Sequence, residues 1–199
     1  MDQNEHLEAL KDIRSMMQRS VRFLSLSGLS GVFAGIYALI TAYLAHQRIS
    51  DPAKAGDPGT INYLFLLALA CLVLAISTAF ILTSRKARKQ GLKIWDETAR
   101  LAMINLSIPL AAGGLFCLAL LRAGIYGFIA PATLLFYGLA LVLSSRHTYP
   151  MIRQLGLWEI ALGIVASFML GHGILFWSIG FGLMHIIYGA YMYFKFDRA

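Results

Sequence analysis

Charge is what this chain has least of. Of its 199 residues only 14% are Asp, Glu, Lys or Arg, while 58% are hydrophobic; ordinary soluble domains carry about a quarter charged residues. Together with a mean hydropathy of +0.67, this excludes a soluble globular domain and places the chain among integral membrane proteins. Regular alternation of polar and apolar residues is also lacking, which excludes a membrane β-barrel. The apolar runs are instead each about 20 residues long, enough to cross a roughly 30 Å hydrocarbon core as helices. Only two cysteines are present, so no disulfide framework is expected. Cys71 is expected near mid-bilayer and Cys117 near the outer end of its span, depths that do not suit a bond.

Sequence signatures of cofactor chemistry are missing as well. There is no Walker A loop, no dinucleotide fingerprint, no HExxH and no CxxC. A haem needs axial ligands at matching depth, whereas His46 and His172 fall near the outer surface and His185 lies alone further in. No cofactor and no metal are expected. The only metal candidates are His46 and His172 with Asp51 and Asp57 at the outer surface, and they lack a dense ligand pattern.

What is present reads as an all-α, polytopic membrane protein. Residues 1–20 form an N-terminal amphipathic helix, with Leu7, Leu10, Ile13, Met17, Val21 and Leu24 at steps of three and four. Residues 21–199 form a domain of about six spans, near 21–45, 61–83, 101–121, 125–144, 153–171 and 174–194. The formal charge of +7 is not a nucleic-acid footprint, because its placement follows the loops. Lys11, Arg14, Arg19 and Arg22 precede the first span. Arg85, Lys86, Arg88, Lys89, Lys93 and Arg100 separate the second and third, Arg146 and Arg153 follow the fourth, and Lys195 and Arg198 close the chain. Arg48, Lys54 and Arg122 alone fall on the other side. By the positive-inside rule both termini are cytoplasmic. The N-terminal helix is expected on the inner leaflet, or as a seam for a cytoplasmic protein partner or a second copy through Leu10, Met17 and Leu24.

Small residues mark the helix contacts. Gly28, Gly31 and Gly35 line the first span, Gly156 and Gly163 share a face with Glu159, and Ser178, Gly182 and Gly189 share one with His185. Gly28-Leu29 and Gly35-Ile36 recur in register as Gly156-Leu157 and Gly163-Ile164, a parallel echo of span one in span five. Pro109 and Pro131 are expected to kink or open the third and fourth helices.

The chemistry concentrates in the last hairpin, 156–193, turned by Gly171-His172-Gly173. Glu159 is the only acidic residue that hydropathy places inside a bilayer. Counting outward from the turn brings it level with Ile186, beside His185. A charged group facing lipid at a helix centre costs about 2.5–3.5 kcal/mol on insertion scales, so Glu159 is expected to face protein. Three roles stay open: a hydrogen-bonded structural lock, a proton or cation relay with His185, or an acid or base in an intramembrane enzyme.

Gly28-Leu29-Ser30-Gly31 resembles the GxSG form of rhomboid intramembrane proteases, which implies Ser30 as nucleophile with His185. The sequence departs from that pattern: the motif is in span one, Gly189 follows His185 by four positions, and span two has no histidine. GLWEIALG followed by GFGLMHIIYG resembles small six-helix bacterial inner-membrane proteins that carry no assigned activity. That resemblance implies a multi-pass address in the bacterial cytoplasmic membrane. The leading functional expectation is a small transport, permeation or sensing component built on Glu159 and His185, possessing a lipid bilayer partner and forming a homo-oligomer. The alternatives are a structural or accessory subunit and an intramembrane hydrolase.

Overall fold

A computed structural model describes residues 27–55, 57, 59–91 and 95–197. The amphipathic helix expected over 1–20, and the first residues of span one, lie outside these. The described residues form α1 (Gly28–Ser50), α2 (Pro52–Ala55), α3 (Gly59–Lys89), α4 (Glu97–Arg122), α5 (Ile129–Ser144), α6 (Pro150–Phe168), α7 (Gly173–Trp177) and α8 (His185–Met192). Short 3₁₀ turns flank α5, and π-helical turns cover Ser178–Met184 and Tyr193–Asp197. The segment from α7 to Asp197 is thus one closing helix, wound wide in two places.

Six stretches are long and apolar enough to span a membrane: Gly28–Ser50, Gly59–Lys89, Glu97–Arg122, Tyr126–His147, Pro150–Phe168 and Leu170–Asp197. The first helix runs on to Ser50, past the expected end at 45, because nothing from His46 to Ile49 breaks it. At 31 residues, α3 is about 46 Å long and outruns a roughly 30 Å core. Its basic last turns therefore stand clear of the hydrocarbon.

Helix ends follow local chemistry. Asp96 caps α4, its Oδ1 accepting the Ala99 N–H at 2.7 Å. Gly124, with φ +71°, closes the same helix, and Ile125 N–H reaches back to Leu120 O at 2.9 Å, the glycine-dependent Schellman arrangement. The hairpin turns through Met169 and Leu170–His172, close to the expected position. Pro131 does not interrupt its helix as expected. Since α5 starts at Ile129, Pro131 sits in the first turn, where its missing N–H has no intrahelical partner to lose. Pro109 lies inside α4, which continues through it from Glu97 to Arg122.

Packing is organised by two close helix pairs. α1 lies between α3 and the closing helix, and α5 lies against α4, α6 and α7. In the first pair, a Cβ added at Gly35 would stand 2.6 Å from Gly182 O, and one at Gly189 2.5 Å from Val32 N. In the second, a Cβ at Gly138 would stand 2.6 Å from Gly156 O, and one at Gly163 2.9 Å from Leu135 N. Backbone meets backbone in both, so small residues are obligatory there. The echoed glycines of α1 and α6 play equivalent parts against different neighbours: Gly28, Gly31 and Gly35 meet the closing helix, while Gly156 and Gly163 meet α5. The glycines of the last two spans therefore do not face each other, as the hairpin reading expected. Ser178 lies outside the close contact and its hydroxyl donates to Leu175 O at 2.8 Å. α3 and α4 are peripheral, with 0% and 6% of their apolar windows buried.

Gly138→Ala is expected to destabilise the protein by at least about 1–3 kcal/mol, because the new methyl meets backbone that has nowhere to move. Gly114→Ala, where a Cβ meets nothing within 4 Å, is expected to be neutral or slightly stabilising. Unfolding in mixed micelles with rising detergent denaturant distinguishes the two.

Candidate functional site

The seam between α5 and α6 aims Glu159. With Gly156 and Gly163 pressed on α5, the side chain between them points into the space shared by α5 and the closing helix, and it is fully buried at 0% exposure. Gly180 provides the room: a Cβ there would overlap Glu159 Oε2 and stand 2.6 Å from Leu134 Cδ2. Leu134 is itself fully buried, so on the Gly180 side the carboxyl group lies against glycine backbone and an apolar side chain.

His185 follows directly on the π-helical turn Ser178–Met184. Such wide turns shift the residues beyond them around the helix axis and recur at functional sites. Nδ1 lies 3.0 Å from Gly180 O and 3.4 Å from Glu159 Oε1. Nε2 lies 2.8 Å from the Tyr137 hydroxyl. Because a carbonyl only accepts, the proton of a neutral ring belongs on Nδ1, and Nε2 then accepts from the Tyr137 O–H. Phe181 stacks on the imidazole at 5.9 Å between centroids and 16° between planes, and also packs on Tyr137 at 4.9 Å.

Neither Glu159 oxygen makes a hydrogen bond; among the described residues the only other such buried side-chain atom is Ser84 Oγ. The imidazole Nδ1 stands 3.4 Å from Oε1, within ion-pair range of the carboxyl group. The pair is electrically balanced in two ways, as neutral acid with neutral ring or as carboxylate with imidazolium. Both carry the same number of protons; because Nδ1, the nitrogen facing the acid, already bears the ring's proton, the charged form holds its additional proton on Nε2, toward Tyr137. Adding or removing a proton leaves an uncompensated charge in an apolar enclosure, which costs several kcal/mol.

Other sequence candidates are placed elsewhere. Ser30 is buried at the start of α1, and its hydroxyl donates to Ser27 O at 2.5 Å. With the imidazole nitrogens engaged by Tyr137, Gly180 and Glu159, no Ser30–His185 hydrogen bond is formed. His46 and His172 are exposed, and the outer carboxylates have cationic partners: Asp57 binds Arg48 at 2.9 Å and Asp51 binds Lys54 at 2.7 Å. No group of three His, Cys, Asp or Glu side chains gathers among the described residues.

Two features were not anticipated. Tyr137 and Gly180 complete the Glu159–His185 site; the available signal was a tyrosine in the middle of a span, which needs a partner as Glu159 does. The second is a polar cluster at the basic end of the bundle. Asp197 Oδ1 pairs with Lys86 Nζ at 2.7 Å, both side chains at most 10% exposed. Its Oδ2 accepts from Gly28 N–H at 2.9 Å and from the Ser27 hydroxyl at 3.1 Å, capping α1 across the bundle. Lys86 also donates to the Tyr149 hydroxyl at 3.4 Å. Burial pushes the Tyr149 phenol above its ordinary range, with the Lys86 ammonium opposing. The ends of α3 and the closing helix and the starts of α1 and α6 are thereby tied together.

The chain matches no protein-family model, no curated protein and no solved structure. The site's chemistry therefore stands on its own geometry.

Tyr137→Phe leaves His185 Nε2 without its donor and is expected to cost about 1–3 kcal/mol, while retaining the ring packing on Phe181. Asp197→Ala removes one partner of a buried ion pair and uncaps α1; a loss on the order of 3 kcal/mol is expected. Both are read as shifts in the thermal unfolding of the purified protein in detergent.

Proposed function

We propose that this is a proton-responsive membrane component, acting in small-solute transport, permeation or sensing, in which the Glu159–His185 pair couples protonation to helix packing. One observation carries the reading: a fully buried carboxyl group without a hydrogen bond faces an imidazole at 3.4 Å, between helix pairs that are separately fastened by glycine contacts. A purely structural lock would be expected to satisfy its oxygens. Intramembrane ionisable groups commonly mark ion or proton pathways.

The coupling follows from charge balance. In the closed arrangement the site is neutral overall and excludes water. Gain or loss of one proton by the pair favours any arrangement that admits water or a counter-charge. The α1–closing helix pair and the α5–α6 pair are the natural rigid bodies for such a movement, since each is fastened within itself. Tyr137 extends the hydrogen-bonded path from the imidazole into α5, and the wide turn before His185 gives the closing helix a place to readjust.

Positive charge at the end holding Lys86, Arg88, Lys89, Arg100, Arg146, Arg153 and Lys195 supports placing that end, and both termini, in the cytoplasm. The six apolar helices and the hairpin resemblance support an inner-membrane address.

The test uses reconstituted vesicles with an entrapped pH indicator. Protein-dependent proton entry after an external acid step is expected, rising as the outer pH falls. Glu159→Gln, which keeps the side-chain size, is expected to reduce it at least about tenfold, the equivalent of about 1.4 kcal/mol. Proton entry with unchanged magnitude and pH dependence in that variant would sink the coupling.

A further inference from the structure

We propose that a groove between α6 and α8 is a binding site for one anionic phospholipid, with an acyl chain along the groove and the headgroup between Arg153 and Lys195. The groove is open to the surface, offers about 510 Å³ and is lined by Gln154, Leu157, Trp158 and Ala161 of α6 and by Tyr188 of α8. This assignment stands apart from the proton-coupling reading, because none of these residues belongs to the Glu159–His185 site.

The groove has a cause in the packing. α6 is drawn onto α5 by Gly156 and Gly163, and α8 is drawn onto α1 by Gly189. The two helices of the last hairpin consequently meet only sparingly toward the basic end, and a cleft opens between them. Its walls face away from the bundle: Leu157 is 50% and Trp158 55% exposed. On a spanning segment such a surface faces hydrocarbon, so an acyl chain is the occupant its apolar stretch suits.

Its basic end is suited to a headgroup. Tyr188, Tyr191 and Lys195 follow one another along the closing helix, and Lys195 Nζ donates to the Tyr191 hydroxyl at 3.1 Å. The same ammonium lies over the Tyr191 ring at 5.2 Å and the Phe196 ring at 5.6 Å, contacts that hold it at the membrane interface. Tyr149 stacks on Phe196 at 4.5 Å, which brings Lys195 level with the start of α6, where Arg153 is exposed. Gln154 adds an amide donor in the groove wall. The carboxylates of this region are committed elsewhere: Asp197 pairs with Lys86, and Glu159 is fully buried. Two cations and an amide above an apolar cleft select a negatively charged headgroup over a zwitterionic one. Trp158 and Tyr188 have the amphipathic rings that favour this depth.

The test places the reporter in the groove. A variant keeping Trp158 alone (Trp95→Phe, Trp177→Phe) is reconstituted into phosphatidylcholine vesicles containing rising fractions of brominated phosphatidylglycerol or, separately, brominated phosphatidylcholine. Half-maximal quenching of Trp158 is expected at about a tenfold lower mole fraction of the anionic lipid. Arg153→Gln with Lys195→Gln is expected to abolish that preference, and Ala161→Phe, which fills the cleft from an exposed position, to abolish it independently. Equal quenching by the two lipids, or a preference that survives both variants, overturns the assignment. So does a Trp158 shielded from both lipids and uncovered on diluting the protein into excess lipid, which would identify a second copy of the chain as the occupant.

Discussion

Close backbone approach at glycine is the constraint from which the rest of this bundle follows. Lipid tails are as apolar as leucine, so helices in a bilayer gain little from burying apolar side chains against one another and associate through shape and polar contacts. Here Gly35 against Gly182 and Gly138 against Gly156 bring main chains together without intervening side chains. Each contact fastens one pair of spans: the fourth holds its chain neighbour, the fifth, whereas the last is held by the first rather than by the fifth. The buried acid and imidazole sit where these two units face each other. Glu159 belongs to one, His185 to the other, and Tyr137 reaches across from α5.

The peripheral helices have a different character. α3 is the most apolar stretch of the chain, with mean hydropathy 2.8, yet none of that window is buried. It is held to α1 by contacts that include the Tyr37 and Thr78 hydroxyls at 3.2 Å, and at its basic end Lys86 ties it to Asp197 of the closing helix. α4 is fastened similarly to α5, where the Ser144 hydroxyl donates to Ala102 O at 3.1 Å. These polar ties add to side-chain packing of α3 on α1 and of α4 on α5, where a Cβ at Gly113 would meet the Phe136 ring.

Much of the fold was legible because membrane insertion writes it in simple terms. Apolar length gave the six helices, and the rarity of acidic residues inside them isolated Glu159. Counting from the hairpin turn also brought it beside His185, since antiparallel neighbours preserve level. Helix-to-helix assignment was less legible, because a glycine stripe shows that a face is close-packed without naming the partner; Gly156 and Gly189 illustrate this. Gly180 escaped notice because its role is to leave space for another side chain. Lys86 and Asp197 escaped for another reason. Both lie among interfacial residues whose ordinary role is to meet headgroups, and only tertiary structure shows that Asp197 caps a helix that begins 169 residues earlier. Pro131 was misread because its helix begins at Ile129, four residues later than the expected 125, enough to turn a kink into a helix start.

The wide turn over Ser178–Met184 makes the aim of the imidazole a matter of residue count. In an ordinary α-helix each residue advances the side-chain direction by about 100°, so shortening this stretch by a single position would swing the ring away from Glu159 and Tyr137 while leaving composition and hydropathy almost unchanged. Two chains of the same bundle differing by one residue here would look alike in every apolar profile and yet point different groups at the buried acid.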